Sequence, residues 1–259
     1  STDVPTGTFF KAVQLPTVWK ASLAGELTGE VPADFKPLPR PTNEMFFPLP
    51  GGAQMPASGL GLCCRPTAYH HESVKRTVLW YLLQGGRLLD TAELYLNHKA
   101  VGEGVNEAIQ RGVPRSEIFI TTKVPPDLYG TNTTAAWIPR MLKELNVSYV
   151  DLVLLHAPVP MLSMLGLWDS ERDFVNYPCK TGPVCRDETW KALAAARKKG
   201  LIKNLGVSNF GITHFEEFKK SGALDAAPIA VDQLVYNPWV PEWEKEIVKY
   251  CRDNKIVMT

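Results

Sequence analysis

Four side chains that can hold or move protons stand at or just beyond the ends of predicted strands. Asp90 ends the apolar run RLLD, Tyr95 follows in the loop AELYLN, Lys123 ends IFITTK and His156 ends DLVLLH. A helical pattern follows each run, so all four are expected on the rim that carries the chemistry of a parallel β/α barrel. A phenol beside an ammonium, a carboxylate and an imidazole is a proton-delivery set. Taken singly, each residue is explained as simply by packing, capping or a solvated charge.

The elements that must position these residues alternate regularly from about residue 44 onwards. FFPLPGGAQMPAS predicts a small hairpin that turns at Gly51 and Gly52. The predicted strands after it are GLGLCC, RLLDTA, EIFITTKV, YVDLVLLHAP, IKNLGVSNF, APIAVDQLVYNP and KIVMT. Apolar strands that alternate with helices predict a parallel sheet covered by helices. Seven such strands without a GxGxxG motif after the first favour a (β/α)8 TIM barrel whose printed sequence ends at about the seventh strand.

Helical spacing predicts the connecting helices. In HESVKRTVLWYLLQGG, the apolar residues that recur at helical spacing are Val74, Val78, Leu79, Leu82 and Leu83. The other predicted helices are NHKAVGEGVNEAIQRG, TTAAWIPRMLKELN, DETWKALAAARKKG, THFEEFKKSG and PEWEKEIVKYCRDN. Pro139 within the third predicts a kink or a late start. A long loop is predicted over about 159–186.

The composition excludes several classes of function. With 259 residues, 45% hydrophobic and 21% charged, the chain can bury a large core. A net charge of +1 gives no reason to expect nucleic acid or an acidic membrane surface as a partner. The most apolar stretch, YVDLVLLHAPVPMLSML, is interrupted by Asp151, His156 and two prolines, so we expect no membrane span.

Five cysteines, an odd number, occur without a CxxC pair or a histidine at ligand spacing. They are Cys63, Cys64, Cys179, Cys185 and Cys251. This pattern predicts reduced thiols, no metal site and an intracellular protein, with the cytoplasm and the interior of a plastid or mitochondrion equally compatible. A disulfide between Cys179 and Cys185, which lie in one loop, is the alternative for those two.

Residues 1–43 form a proline-rich extension that lacks helical or strand periodicity. We interpret it as an extended arm, which either wraps its own barrel or docks on a partner protein. The first residue is Ser1 rather than Met, which fits a processed N-terminus or an incomplete sequence. The predicted organisation is therefore an extension over 1–43 and a barrel over 44–259.

Several motifs together resemble the aldo-keto reductase family over nearly all of residues 44–259. They are GGRLLDTAELYLNHKAVG, TTKV, LLHAP, KNLGVSNF and VDQLVYNP. KNLGVSNF (203–210) matches the family pattern at every position and is the most specific. The first motif departs from the pattern at Gly86, where an aromatic residue is usual, and at His98, where glutamate is usual.

The resemblance implies a role for each residue of the proton-delivery set. Tyr95 would be the general acid that protonates a carbonyl oxygen. A free phenol, with a pKa of about 10, is a poor acid at neutral pH, so Lys123 would be needed to favour the phenolate. Asp90 would hold Lys123 through a buried ion pair, and His156 would orient the carbonyl.

The resemblance also implies NADP(H) as the cofactor. Ser208, Asn209 and Gln233 are similar to the residues that contact the nicotinamide carboxamide in the family. The activity implied is reduction of an aldehyde or ketone, a small carbonyl substrate, to an alcohol by hydride transfer from NADPH.

At two positions near the expected substrate pocket, this chain has smaller side chains than the family usually has. The family usually has an aromatic residue after the first strand, where this chain has Cys63 and Cys64, and often has Trp where this chain has Ala157. Both changes predict a wider or reshaped pocket. The eighth strand, the basic cluster for the 2′-phosphate and the aromatic that stacks on nicotinamide would all lie beyond Thr259. We therefore expect the polypeptide to continue, the alternative being a partner that covers the open barrel edge.

Two functions of other classes stay open at this point. One is a catalytically weak or inactive barrel that serves as a structural or docking subunit, engaged through the arm or the open edge. The other is a regulatory subunit that binds NADP(H) without turnover. The identity of the substrate is not predicted, because it depends on the loop over 159–186 and on residues after Thr259.

Overall fold

The computed structural model describes residues 30–64, 69–160, 182–240 and 242–259. The chain divides into two units, Ser1–Asp34 and Phe35–Thr259, and every helix and strand given below belongs to the second. Residues 30–43 contain turns and irregular backbone, and the rest of the predicted arm lies outside the described residues. Within the described ranges, no helix has both the length and the apolar character that crossing a membrane requires.

The predicted hairpin is present. Strands β1 (Phe46–Pro48) and β2 (Gln54–Pro56) pair in antiparallel fashion. Gly51 and Gly52 in the turn have φ angles of 87° and 89°, a left-handed conformation that glycine adopts without steric cost.

The main sheet has seven parallel strands among the described residues. They are β3 (Leu60–Gly61), β4 (Leu88–Asp90), β5 (Phe119–Val124), β6 (Val150–Leu155), β7 (Ile202–Ser208), β8 (Val231–Gln233) and β9 (Val257–Met258). Each strand pairs with the next in chain order. A doubly wound sheet reverses its strand order, whereas a barrel adds every strand on the same side. The fold is therefore an α/β fold made of seven consecutive strands of a TIM barrel, as predicted.

Helices alternate with the strands along the chain. They are α1 (His71–Leu83), α2 (His98–Gln110), α3 (Thr131–Leu145), α4 (Gly182–Lys198), α5 (Ile212–Ser221), α6 (Ala223–Ala226) and α7 (Glu242–Asp253). The predicted apolar residues of α1 are all buried.

Three details differ from the sequence prediction. Helix α3 begins before Pro139 and continues through it, so a late start is excluded. Helix α4 begins at Gly182, inside the segment predicted as loop, and buries Cys185 and Arg186. The buried Arg186 donates to the carbonyl oxygen of Pro158 over 2.6 Å and to Glu217 over 2.6 Å, which anchors this extra turn. The third difference is α6, a short helix that was not predicted.

The hairpin closes the amino-terminal end of the barrel. Leu49 and Met55 of the hairpin form one buried cluster with Phe119, Leu152 and Val231 from three different strands. These strand residues lie at or near the beginnings of β5, β6 and β8. The opposite end of the sheet, where the strands terminate, is left for the polar residues described next.

Candidate active site

The four residues of the predicted proton-delivery set lie together at the carboxyl ends of adjacent strands. Asp90 is the last residue of β4, and Lys123 is the fifth residue of β5. His156 follows β6, and its backbone N–H donates to the carbonyl oxygen of Val124 over 2.9 Å. Tyr95 ends a short 3-10 turn, Glu93–Tyr95, just beyond β4. Parallel pairing in register brings these residues to the same rim.

Lys123 is the centre of the arrangement and is 1% exposed. Its Nζ atom donates to the Oδ1 atom of Asp90, to the carbonyl oxygen of Thr91 over 3.2 Å and to the phenol of Tyr95 over 3.0 Å. An ammonium has three donors, so these acceptors saturate it. A charge this deeply buried needs such compensation, because removal from water is otherwise costly.

Asp90 connects Lys123 to a second group of residues. Its Oδ2 atom accepts a hydrogen bond from Nε2 of Gln233 over 2.9 Å. The carboxylate therefore bridges the cation on β5 and an amide on β8, across the barrel interior. A cavity of about 260 Å³ lies beside these two residues and extends towards Met55 of the hairpin and Leu152.

The phenol of Tyr95 is positioned to act as a proton donor. Because Lys123 donates to its oxygen, the phenolic hydrogen is left for another acceptor. The Tyr95 ring packs edge-on against the imidazole of His156, with centroids 5.7 Å apart and an angle of 81° between the planes. The two polar groups that a carbonyl oxygen would meet are thus neighbours.

His156 is held in its uncharged form. Burial, followed by the charge of Lys123, lowers the pKa of His156 from 6.5 to about 4. Its Nδ1 atom is buried and has no hydrogen-bond partner among the described residues. A neutral imidazole can donate through one ring nitrogen, which suits hydrogen bonding to a carbonyl.

Ser208, Asn209 and Gln233 lie side by side at the ends of β7 and β8. Ser208 and Gln233 are partners in the strand register, and the backbone N–H of Asn209 donates to the carbonyl oxygen of Gln233 over 2.9 Å. The Asn209 side chain donates to the carbonyl oxygen of His156 over 3.2 Å and to the Ser208 hydroxyl over 3.0 Å. Asn209 has a φ of 61°, a left-handed conformation that asparagine tolerates better than most residues.

The three residues fit the carboxamide of a nicotinamide cofactor by their chemistry. A carboxamide needs a donor for its oxygen and an acceptor for its nitrogen. A hydroxyl and two side-chain amides supply both kinds of group, and they join the Asp90–Lys123–Tyr95 arrangement through Gln233. These residues could hold the nicotinamide end of such a cofactor.

Sequence reasoning missed two residues that support the tyrosine loop. The hydroxyl of Thr91 donates to Oδ1 of Asn97 over 2.7 Å, and Nδ2 of Asn97 donates to the carbonyl oxygen of Leu62 over 2.9 Å. Both side chains are buried. Asn97 lies two residues after Tyr95, so these bonds fix the turn that presents the phenol. Their presence inside the motif DTAELYLN was the available signal.

Asp232 was also missed, although it adjoins Gln233. Its side chain is fully buried on the helix side of β8, where it accepts the backbone N–H of Phe210 and contacts the thiol of Cys251 at 3.9 Å. Burial raises the pKa of Asp232 to about 8. An acidic residue inside the apolar run APIAVDQLV was the sequence signal.

The prediction of reduced thiols is wrong for three of the five cysteines. Cys63 and Cys64 form a disulfide with each other, and Cys185 is also disulfide-bonded. Cys251 is free and buried. The count of cysteines misled the prediction at Cys63 and Cys64, because adjacent residues can pair, which a spacing rule for loops or metal motifs does not anticipate. For Cys185 the stated alternative was a disulfide with Cys179, a residue that lies outside the described ranges.

His98, which stands where the family usually has glutamate, hydrogen-bonds within a network that contains the Arg140–Glu93 ion pair. Its Nδ1 atom lies 3.5 Å from Glu93 and 3.3 Å from Glu144, and burial foremost lowers its pKa. Arg140 pairs with Glu93 over 2.6 Å, and the indole N–H of Trp137 donates to Glu93 over 2.8 Å. The carboxylate of Glu93 is thereby satisfied within the network.

Comparison with protein families and curated proteins agrees with this geometry. The model of the aldo/keto reductase family matches residues 57–259. An aldehyde reductase of Saccharomyces cerevisiae is 33% identical over 218 residues, which cover 80% of this chain and 64% of that protein. The glyoxal reductase of Bacillus subtilis is 32% identical over 209 residues, covering 80% of this chain and 63% of that protein. The chain thus spans a little under two thirds of the length of these relatives.

Solved structures give the same result. An aldo/keto reductase from Brucella melitensis superposes with a TM-score of 0.67 at 26% identity, covering 83% of this chain and 71% of that chain. The aldo-keto reductase of Bombyx mori, solved in complex with NADP, also has a TM-score of 0.67 at 26% identity, covering 86% and 66%.

Proposed function

Since this chain belongs to the aldo/keto reductase family, we propose that it reduces an aldehyde or ketone to an alcohol with NADPH and that Tyr95 is the general acid. The observation that carries the proposal is the saturated Lys123 ammonium, which donates to Tyr95 while Asp90 and Thr91 fix its position. The reductases among the relatives named above support the reaction class.

Each residue of the site has a separate role in the proposed reaction, and its contacts are compatible with that role. Tyr95 donates its phenolic proton to the carbonyl oxygen, and Lys123 stabilises the negative charge that develops on the phenol. His156, neutral at physiological pH, donates a hydrogen bond to the same carbonyl oxygen and so orients the substrate. Asp90 holds the Lys123 ammonium in place through their ion pair.

The cofactor contacts would come from Ser208, Asn209 and Gln233. These residues would bind and orient the carboxamide, and the side chain of Gln233 also donates to Asp90. When bound, NADPH supplies the hydride that the carbonyl carbon accepts. The protein contributes the position of the ring and the proton.

The test compares the protein with its Tyr95→Phe variant. NADPH oxidation is followed by absorbance with a panel of aromatic and aliphatic aldehydes and ketones, and cofactor binding is followed by tryptophan fluorescence. We expect turnover in the parent and a loss of about 10²- to 10⁴-fold in kcat/KM in the variant, with cofactor affinity retained. Tyr149→Phe is the matched control, because Tyr149 lies against Arg115 before β6, at the far end of the barrel.

The possible results distinguish the reductase from a cofactor-sensing subunit and from a structural or docking subunit. Turnover that disappears with Tyr95→Phe supports the proposal. Saturable NADPH binding without turnover favours a cofactor-sensing subunit, and neither binding nor turnover favours a structural or docking role. Equal rates for the parent and Tyr95→Phe would remove Tyr95 from the mechanism.

A further inference from the structure

The disulfide between Cys63 and Cys64 stands at the rim of the candidate active site. Leu62 and these two cysteines directly follow β3, the strand beside Asp90. Cys63 is half-buried and Cys64 is exposed. Cys64 also has a φ of 65°, a left-handed conformation that is uncommon for residues other than glycine. The linked pair therefore combines access from solvent with a restrained backbone.

Hydrogen bonds connect this pair to the catalytic arrangement. The backbone N–H of Leu62 donates to the carbonyl oxygen of Asp90 over 2.9 Å, and its carbonyl oxygen accepts from Asn97 over 2.9 Å. Asn97 in turn accepts from Thr91 over 2.7 Å, and the carbonyl oxygen of Thr91 accepts from Lys123 over 3.2 Å. The residue before the disulfide thus contacts both sides of the turn that carries Tyr95.

We propose that Cys63 and Cys64 form a thiol–disulfide exchange site whose oxidised form holds the Leu62–Asn97 contact, and whose reduction by a low-molecular-weight thiol loosens the Tyr95 turn. The small ring formed by two linked, adjacent residues restricts the Cys63–Cys64 peptide, and opening it releases that restriction. The consequence for turnover rests on the proposed function; the exchange chemistry does not.

The exchange proceeds in two balanced steps. The thiolate of the small thiol attacks the sulfur of Cys64, the exposed residue of the pair, forming a mixed disulfide and releasing the Cys63 sulfur as a thiolate, which takes a proton from water. A second molecule of the thiol, as its thiolate, attacks the mixed disulfide, releasing Cys64 as a thiol and leaving the small-molecule disulfide. Two electrons pass from the two thiols to the protein disulfide, and oxidation by the small-molecule disulfide reverses the sequence.

The two other cysteines that the structure describes are poorer sites for this reaction. Cys251 is fully buried, and burial together with the neighbouring carboxyl of Asp232 raises the pKa of its thiol to about 12. A buried thiol that stays protonated reacts slowly. Cys185 is disulfide-bonded but its side chain is fully buried. Among the described cysteines, exposure therefore directs exchange to Cys64.

The experiment equilibrates the parent and the Cys63→Ser/Cys64→Ser variant in reduced and oxidised glutathione. Thiols are trapped with N-ethylmaleimide and located by mass spectrometry. Amide hydrogen exchange is measured for the peptide that contains Tyr95 and Asn97, and NADPH turnover is measured in parallel. In the parent, we expect N-ethylmaleimide to label Cys63 and Cys64 only after reduction. Reduction should also increase exchange in the Tyr95 peptide and lower kcat/KM about fivefold, the effect of losing one hydrogen bond.

Two variants make the result specific. Cys63→Ser/Cys64→Ser is expected to match the reduced parent and to be insensitive to glutathione, so a response in this variant would assign the effect to another cysteine and overturn the inference. Asn97→Ala breaks the proposed connection, so reduction should lower its kcat/KM no further. A full additional loss in Asn97→Ala would place the connection elsewhere and contradict the proposal.

The outcomes also separate this inference from the proposed function. Labelling of Cys63 and Cys64 in the oxidised protein, or labelling after reduction without any change in hydrogen exchange at the Tyr95 turn, overturns the inference. Reversible labelling that changes hydrogen exchange, in a protein without turnover in either state, sustains the inference and rejects the reductase assignment.

Discussion

The Nζ atom of Lys123 lies 3.0 Å from the phenolic oxygen of Tyr95, and it donates that hydrogen bond. The direction of the bond is what matters, because it leaves the hydrogen of the phenol free for a substrate. The two remaining donors of Lys123 are taken by Asp90 and by the carbonyl oxygen of Thr91. The position of the ammonium is thus fixed independently of Tyr95.

Lys123→Met should remove activity and stability for different reasons. Loss of the ammonium should lower kcat/KM about 10²-fold or more, since the hydrogen bond from Lys123 to the Tyr95 oxygen would stabilise the phenolate. It also leaves Asp90 without its cation, which should cost about 2–3 kcal/mol of unfolding free energy, because Asp90 is only 21% exposed. Urea unfolding and NADPH turnover measure the two effects.

The double variant Asp90→Asn/Lys123→Met distinguishes the two roles. Its unfolding free energy should recover most of the loss, because no unpaired charge is left. Its activity should not recover. If stability and activity recovered together, the ammonium would have only a structural role.

Asp232→Asn should change how stability depends on pH. Burial raises the pKa of Asp232 from 3.8 to about 8 in the folded protein, so the folded state retains a proton that the unfolded state gives up. The stability that this group contributes is complete below pH 4 and is lost as the pH rises towards 8. The asparagine keeps the oxygen that accepts the N–H of Phe210 but does not titrate.

The measurement is the urea midpoint of both proteins between pH 5 and pH 8. We expect the parent to lose more stability than Asp232→Asn over this range, by about 2 kcal/mol or more. Parallel curves would show that the carboxyl group is already ionised in the folded protein at pH 5 or that it does not differ from the unfolded state.

His156 should remain neutral well below its ordinary range. Its pKa of about 4 arises from burial and then from Lys123, so the imidazole signal in a ¹⁵N-labelled sample should show no protonation between pH 8 and pH 5. In Lys123→Met the repulsion is gone, and the titration should move upwards. An imidazole that titrates near pH 6.5 in the parent would contradict the assignment of His156 as a neutral donor.

Tyr81 explains the departure from the family pattern at Gly86. A Cβ atom on Gly86 would collide with the ring of Tyr81, which comes from α1. The φ of Gly86 is not positive, so the backbone itself would accept a side chain. The Tyr81 ring therefore fills the space next to the position where the family usually has an aromatic residue.

A double-mutant cycle tests whether a side chain at position 86 and the ring of Tyr81 compete for the same space. Gly86→Tyr should destabilise the protein by steric overlap, and Tyr81→Ala should cost about 2 kcal/mol through the space it leaves. Tyr81→Ala/Gly86→Tyr should be more stable than the sum predicts, by about 1 kcal/mol or more. Additive losses in the urea midpoints would show that the two positions do not share one space.

The sequence by itself determined the strands, most of the helices and the rim on which the polar residues lie. Apolar runs that end in Asp90, Lys123 and His156 predict parallel strands, and parallel strands end on the same side. Helices and strands are set by contacts between residues that are close in the chain. The spacing of the apolar side chains indicates those contacts directly. Resemblance to known motifs supplied the roles of Ser208, Asn209 and Gln233.

The contacts between residues on separate elements were decided only by the tertiary structure. Strand register brings Gln233 against Asp90, residues that are 143 positions apart. The same packing buries Asp232, pairs Cys63 with Cys64 and lets Tyr81 occupy the space at Gly86. These contacts depend on how separate elements pack and on which backbone angles the rim adopts. Local sequence patterns predict neither the packing nor these angles, because each side chain at the rim could pair with several residues of the same chemical type.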